Sequence, residues 1–350
     1  MVGYVYMLTA TLTIAFYIIA PHIIRKIGNY KTSIILVVLQ ILVFYGLVKS
    51  DDTTILISLF ALQGAIISLI GLSLDIFLEH YTDGNHAGKI RGMYTATMNA
   101  AWLIGPLIGS SLINGGGENY KNTYVIALAM LFPLLYLIHK NFPRFKDPKY
   151  THPTTWHLLK SVHSHKSRSY LFYANIILQV FYAWMVVYSP IYMHKVIGFN
   201  WESIGFILVV MLIPFPLLQY KLGKIADGKY GEKEIMTFGF ALMGIFTILL
   251  AFLDTPNVFA WAAILFLTRV GAAAAEIMVE IYFFKTVPES DTSTLGLFRI
   301  TRPLSTFIAP IIAIASAYLL GGEGSNYIFV VIGVIALLAM YPAMMIRDTK

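Results

Sequence analysis

AWAAILFLTRVGAAAAEIMVEIYFF, residues 260–284, is long enough to cross a bilayer, yet it carries Arg269, Glu276 and Glu280. A charge inside hydrocarbon is costly, so ions in such a span must face other helices or a wet cavity. At about 100° per residue, the steps of 7 and 11 from Arg269 return Glu276 and Glu280 to within roughly 20° of its direction. The three therefore share one stripe, and the rest of the circumference is Ala, Val, Ile, Leu and Phe. Such a helix is expected to turn its smooth side to lipid and its stripe inward.

The rest of the chain agrees with a membrane setting. Of its 350 residues, 58% are hydrophobic and 12% charged, against about 25% charged in an ordinary soluble domain. Apolar runs fall near 3–24, 31–49, 55–79, 92–113, 123–139, 170–193, 203–222, 235–253, 259–283, 294–319 and 327–346. These predict an all-α polytopic membrane protein of eleven spans. A membrane β-barrel is excluded, because its strands would alternate over about ten residues. The absence of cysteine excludes disulfides, thiolate metal sites and a cysteine nucleophile.

The net charge of +7 follows the loops rather than a nucleic-acid face. Loops near 25–31, 80–91, 140–168, 221–234 and 284–292, with the tail after 346, hold nearly all the Lys and Arg outside the spans. The alternate loops contribute only Lys49, Lys121 and Lys195. This asymmetry places the C-terminus and the long central loop in the cytoplasm and residue 1 outside, in a cell (plasma) membrane. The first run is too long, and lacks the flanking features, for a signal peptide.

The chain also repeats itself. Asp75-Ile-Phe-Leu-Glu79 matches Glu276-Ile-Met-Val-Glu280 at an offset of 201, pairing Tyr81 with Tyr282. RGMYTATMNAAWLIGPLIG at 91–109 matches LGLFRITRPLSTFIAPIIA at 295–313 at an offset of 204, with Pro106 over Pro310. Gly28 in the loop at 25–31 falls over Gly231 in the loop at 227–233, at an offset of 203. Three landmarks in one order predict two homologous membrane halves, 1–139 and 170–350, joined by a cytoplasmic loop at 140–169. Such duplication is common in secondary transporters, whose site lies at the midplane. The helix at 170–193 has no counterpart in the first half, so the chain is expected to lack the first of twelve spans.

With these residues in view, the sequence resembles the major facilitator superfamily over essentially its whole length. The family's loop motif GxxxD(R/K)xGR(R/K) appears in the second half as Gly223, Asp227, Lys229, Gly231 and Lys233, with one extra residue between the Asp and the second Gly. In the first half Arg25, Lys26, Gly28 and Lys31 keep the basic character, while Pro21 and Arg25 stand where Gly and Asp would be. The stretch 101–110, AWLIGPLIGS, resembles the fifth-helix antiporter motif GxxxGPxxGG with its inner Gly105, Pro106 and Gly109 intact. That resemblance implies export by exchange, with protons as the candidate counter-ion. Read physically, the same residues are a small-residue packing seam with a proline bend. The fourth-helix pattern RxxQGxGAA keeps Gln63-Gly64 but has Phe60 in place of the Arg, which argues against proton exchange.

The charged positions divide by depth. Asp75, Glu79 and Glu280 lie toward the cytoplasmic ends of their spans and are expected to meet Arg25, Lys26 and the 221–233 loop as a gate. Asp227 is expected at the positive N-terminus of a neighbouring helix, the one beginning near Gly92. Arg299 and Arg302 either snorkel or pair with gate carboxylates. Arg269 lies deeper, about 15 Å along its helix. It is expected either to pair with Glu276 or to bind an anionic or polar group, with Glu276 as partner or proton carrier. Asn175, Gln179 and Tyr182 share one face, as a cavity lining would, whereas Trp184 and Tyr188 read as an interfacial belt. Asn99 and Trp102 form a smaller polar-aromatic pair near Gly105.

The central loop carries His139, His152, His157, His163 and His165 among basic residues. Neither their spacing nor an acidic cluster suggests a metal site, and 155–162 is expected to lie on an anionic leaflet. No GxxxxGK[ST] loop, HExxH pair or Ser/His/Asp constellation is present. The sequence therefore predicts a non-enzymatic, cofactor-free, monomeric transporter of a small molecule by alternating access, contacting lipid and no nucleic acid. Efflux or proton-coupled antiport is one direction. A sugar or organic-anion uptake permease is another, and a non-transporting relative of the fold is the alternative class.

Overall fold

The computed structural model describes residues 2–82, 87–113, 120–150, 166–227, 231–288, 290–319, 326–347 and 349. In chain order the helices are α1 Val2–Ile27, α2 Asn29–Lys49, α3 Thr53–His80, α4 Ala87–Ile113, α5 Tyr120–Asn141, α6 Lys166–Lys195, α7 Trp201–Leu212, α8 Pro214–Asp227, α9 Glu232–Leu249, α10 Val258–Thr286, α11 Thr292–Leu319, α12 Tyr327–Leu338 and α13 Met340–Met345. Among the described residues, nine helical spans are long and apolar enough to cross a membrane, counting α7 with α8 and α12 with α13 as one each. With α4 and α11 they make up the eleven expected spans. The loop at 151–165, which holds four of the five loop histidines and the leaflet segment, lies outside the described residues.

Local chemistry sets the boundaries. Asp52 accepts from the Thr54 and Ile55 N–H groups at the start of α3, and Asn200 accepts from Ser203 at the start of α7. The seventh apolar run breaks at Ile213, because Pro214 has no N–H to continue the ladder and opens α8 instead.

The chain divides into two compact units that cut across the sequence repeat. One comprises Met1–Tyr81, Gly105–Leu159 and Val287–Leu304; the other comprises Thr82–Ile104, Lys160–Thr286 and Ser305–Lys350. The start of α4 thus groups with second-half helices, and the start of α11 with first-half helices.

In the first unit, α2 packs on α3 and α5, and α1 on α3. Phe77 stacks on Phe142 at 4.2 Å between ring centroids and meets Phe145 edge-on at 4.8 Å. Asp147 accepts the Asn29 N–H at 2.7 Å, beside Gly28, whose φ of 86° suits glycine.

In the second unit α10 is the hub, touching α6, α7, α8 and α9. Its burial corrects the expectation of a lipid-facing smooth side, since Ala272, Ala273, Ala274 and Ala275 are all buried. Small side chains let neighbours crowd in. A Cβ at Gly271 would meet the Gly239 carbonyl oxygen at 2.5 Å, so α9 crosses α10 backbone to backbone.

Candidate functional site

Three helices of the second unit, α4, α8 and α10, are joined by polar contacts at two levels. At the deeper level, buried Gln219 on α8 donates its Nε2 to Glu276 Oε2 on α10 at 2.6 Å, and its Oε1 accepts from Asn99 Nδ2 on α4 at 2.8 Å. The Gln219 amide thus bridges the two neighbours, accepting from Asn99 and donating to Glu276.

At the second level, Asp227 closes α8 onto the start of α4. Its Oδ1 accepts the Gly88 N–H at 3.0 Å and its Oδ2 the Lys89 N–H at 2.8 Å, so the carboxylate occupies the positive end of that helix. The helix begins at Ala87, a turn earlier than the Gly92 expected from sequence. Lys285, from the end of α10, lies 3.2 Å from Asp227 Oδ1 and 2.8 Å from Glu232 Oε1. Glu232 is fully buried and also accepts from the Thr349 hydroxyl at 2.9 Å.

The motif glycine has a steric reason. A Cβ at Gly223 would strike the Gly88 carbonyl and lie 3.1 Å from the Gly92 Cα, and one at Gly92 would lie 2.7 Å from the Gln219 carbonyl oxygen. Gly223→Val should therefore separate the two backbones and destabilise the fold by about 1–3 kcal/mol. A lower thermal midpoint of the purified protein checks it; an unchanged midpoint would mean that the crossing is loose.

Arg269 is 1% exposed. Its guanidinium carbon sits 5.1 Å from the Phe181 ring centroid and 5.8 Å from that of Tyr182. The Tyr182 hydroxyl donates to the Ala272 carbonyl at 3.3 Å, tying α6 to α10 one turn past Arg269. Asn175 is buried, and Gln179 Nε2 lies 3.4 Å from its Oδ1.

Other expected positions fall elsewhere. Asp75 is buried and meets Arg299: Arg299 Nε and Nη2 both lie 2.8 Å from Asp75 Oδ2. Arg25 Nε donates to its own helix at the Pro21 carbonyl, Lys26 and Arg302 are exposed, and Glu79 and Glu280 are half-buried. Gly231 stands just before α9 at its N-cap. Lys229 lies outside the described residues.

Gly105 is exposed, and a Cβ there would meet nothing within 4 Å, so the close approach expected of it occurs at Gly88 and Gly92 instead. The side chains of Pro106 and Gly109 lie outside the described ones. Trp102 is 59% exposed, away from the Gln219 chain. Trp184 is fully buried, stacked on Tyr188 at 5.5 Å, which corrects its reading as a belt residue.

Sequence reading passed over Gln219, Lys285, Glu232 and Gly88. Gln219 carried a usable signal, an amide inside an apolar span four residues before the motif glycine. Among the described residues no group of three His, Asp or Glu could hold a metal ion.

Comparison with protein families matches the model described as Major Facilitator Superfamily to residues 1–310 and, in a second placement, to 202–350. The chain belongs to the major facilitator superfamily. A comparison with curated proteins found no match. Solved superfamily structures share its fold at low identity. A bacterial homologue of the iron transporter ferroportin, in an outward-facing state, aligns with a TM-score of 0.74 and 16% identity over 97% of this chain and 89% of that one. The human organic anion transporter MFSD10 (TETRAN) gives 0.78 and 14%, over 97% and 83%. The E. coli fucose:proton symporter FucP gives 0.72 and 10%, over 97% and 96%. This superfamily member is a multi-pass membrane protein, and its membership and neighbours point to a transporter rather than an enzyme.

Proposed function

We infer that the chain is a proton-coupled secondary transporter that moves a small solute across the cell membrane by alternating access, the two sequence halves rocking about the site. The observation that carries this reading is the hydrogen-bonded chain Asn99–Gln219–Glu276. It places one ionisable group of α10 in register with α4 and α8, the same pair of helices that Asp227 closes.

Protonation of Glu276 leaves a carbonyl oxygen to accept from Gln219 but removes the charge that strengthens that bond, and so weakens the hold of α10 on α8. The Asp227–Lys285–Glu232 cluster then supplies most of what keeps those helix ends together, on the side assigned to the cytoplasm. Differential stability of this kind is how a bound proton biases a two-state equilibrium. Export in exchange for protons fits the order of events best, because a proton taken up at Glu276 loosens the latched form.

The test is flux in sealed vesicles containing the purified protein, with a proton gradient imposed in either direction and a panel of labelled solutes. Solute movement that reverses with the gradient supports the reading. Solute flux indifferent to the gradient removes the proton from it, and absence of both solute and proton flux favours a non-transporting membrane protein.

A further inference from the structure

Arg269 is a charge whose hydrogen bonds its surroundings do not complete, although the Glu276 carboxylate acts on it electrostatically. Its Nε and Nη1 atoms are buried and have no hydrogen-bond partner, which leaves three N–H donors without an acceptor. Nearby acceptors are turned to other donors: the Ala272 carbonyl takes the Tyr182 hydroxyl, and Glu276 Oε2 takes Gln219. What faces the guanidinium instead is the Phe181 ring and the Tyr182 ring. Aromatic faces attract a cation, yet they cannot accept in the plane of the guanidinium where its N–H groups point. A desolvated cation left in this condition is among the most destabilising features a core can hold, and replacing it with an apolar residue is commonly neutral or better.

We propose that Arg269, framed by Phe181 and Tyr182, is the anchor for the carboxylate of a small organic monoanion carried by this protein. A carboxylate supplies the in-plane acceptors that the guanidinium lacks, and the pairing is strong because both partners are charged. One negative charge matches one cation. The other buried basic residue of this unit among those described, Arg91, lies on α4 with its guanidinium over Phe284, fifteen residues along α10 and so about 22 Å away by helical rise. A dianion at Arg269 would be left half-neutralised. The two rings supply an apolar wall for the carbon body of the anion. The ligand's status as cargo rests on the transport reading above; its binding does not.

The experiment measures thermal unfolding of the purified full-length protein with benzoate or lactate, beside the neutral amides benzamide and lactamide, and with chloride as the ionic control. A carboxylate should raise the midpoint by roughly 2–4 °C, and the amides and chloride should not. Arg269→Met should raise the midpoint of the ligand-free protein, because three buried N–H donors without acceptors are gone, and should abolish the carboxylate response. Arg269→Lys should keep part of that response. The proposal is overturned if neither carboxylate shifts the parent, if the amides shift it equally, or if Arg269→Met still responds. A fall in the ligand-free midpoint of Arg269→Met would also overturn it, since it would show that the charge is satisfied within the fold. None of these readings uses flux, so a protein that binds carboxylates but moves no protons would reject the coupling mechanism and leave this site standing.

Discussion

Asp227→Asn should raise the rate at which a thiol reagent reaches the crossing of α4 and α8 on the order of 10- to 100-fold, the consequence of a two-state shift of about 1.5–3 kcal/mol. The chain has no cysteine, so a single Thr95→Cys substitution gives a clean reporter. Thr95 lies on α4 and is 9% exposed in the latched arrangement. Asparagine keeps one acceptor oxygen but loses the charge, one of the two backbone N–H bonds and the attraction of Lys285, whose remaining partner is Glu232. The control comes from the equivalent point of the repeat. Where α11 begins, Asp291 accepts from the Thr294 N–H at 3.0 Å and from its hydroxyl at 2.6 Å, so this helix caps itself. Asp291→Asn weakens a helix start without releasing a neighbour, and labelling of Thr95→Cys should stay at the parent level. Equal labelling with and without the Asp227 carboxylate would show that the cluster is not a latch.

Glu276→Gln should reduce proton-driven solute movement to the level of protein-free vesicles while leaving the protein folded. The substituted amide still offers an oxygen to Gln219 Nε2, so the chain from Asn99 survives sterically, but no proton can bind and leave at physiological pH. Exchange of labelled for unlabelled solute across the membrane should persist, because it needs the site to alternate and not to titrate. Gln219→Leu offers the complementary result: it keeps the carboxylate and removes the connection, so solute and proton movements should continue with a poorer ratio between them. Coupled transport by Glu276→Gln at the parent rate would place the proton site elsewhere.

The broad architecture was legible because hydrocarbon leaves few options. Eleven apolar runs became helical spans, and the basic loop with its Gly223 and Asp227 pointed to the right family. Asp227 was readable down to its target, since a lone carboxylate at a helix end seeks another helix's free N–H groups. Partners across the chain were less legible. Arg299 was expected either to snorkel or to pair with a gate carboxylate, and it pairs with Asp75, 224 residues away, a partner that the sequence did not single out. Helical periodicity fixes which side of a helix a residue occupies and says nothing of which helix arrives there. Gln219 was overlooked because an amide contributes little to a hydropathy pattern, although burial makes its hydrogen bonds matter most. Gly105 looked like a crossing point from its motif, while the actual crossing uses glycines in an unremarked turn.

The interleaving of the two units has a consequence for how the protein is made. The first unit is not complete when its sequence half has left the ribosome, because it still lacks Val287–Leu304. Until Arg299 is synthesised, Asp75 lacks that guanidinium, and at about 5–20 residues per second the 224 intervening residues take roughly 11–45 s. During that interval α3 is without the contact that Arg299 makes to its buried Asp75. A gene divided at the central loop would make that wait indefinite for the first fragment.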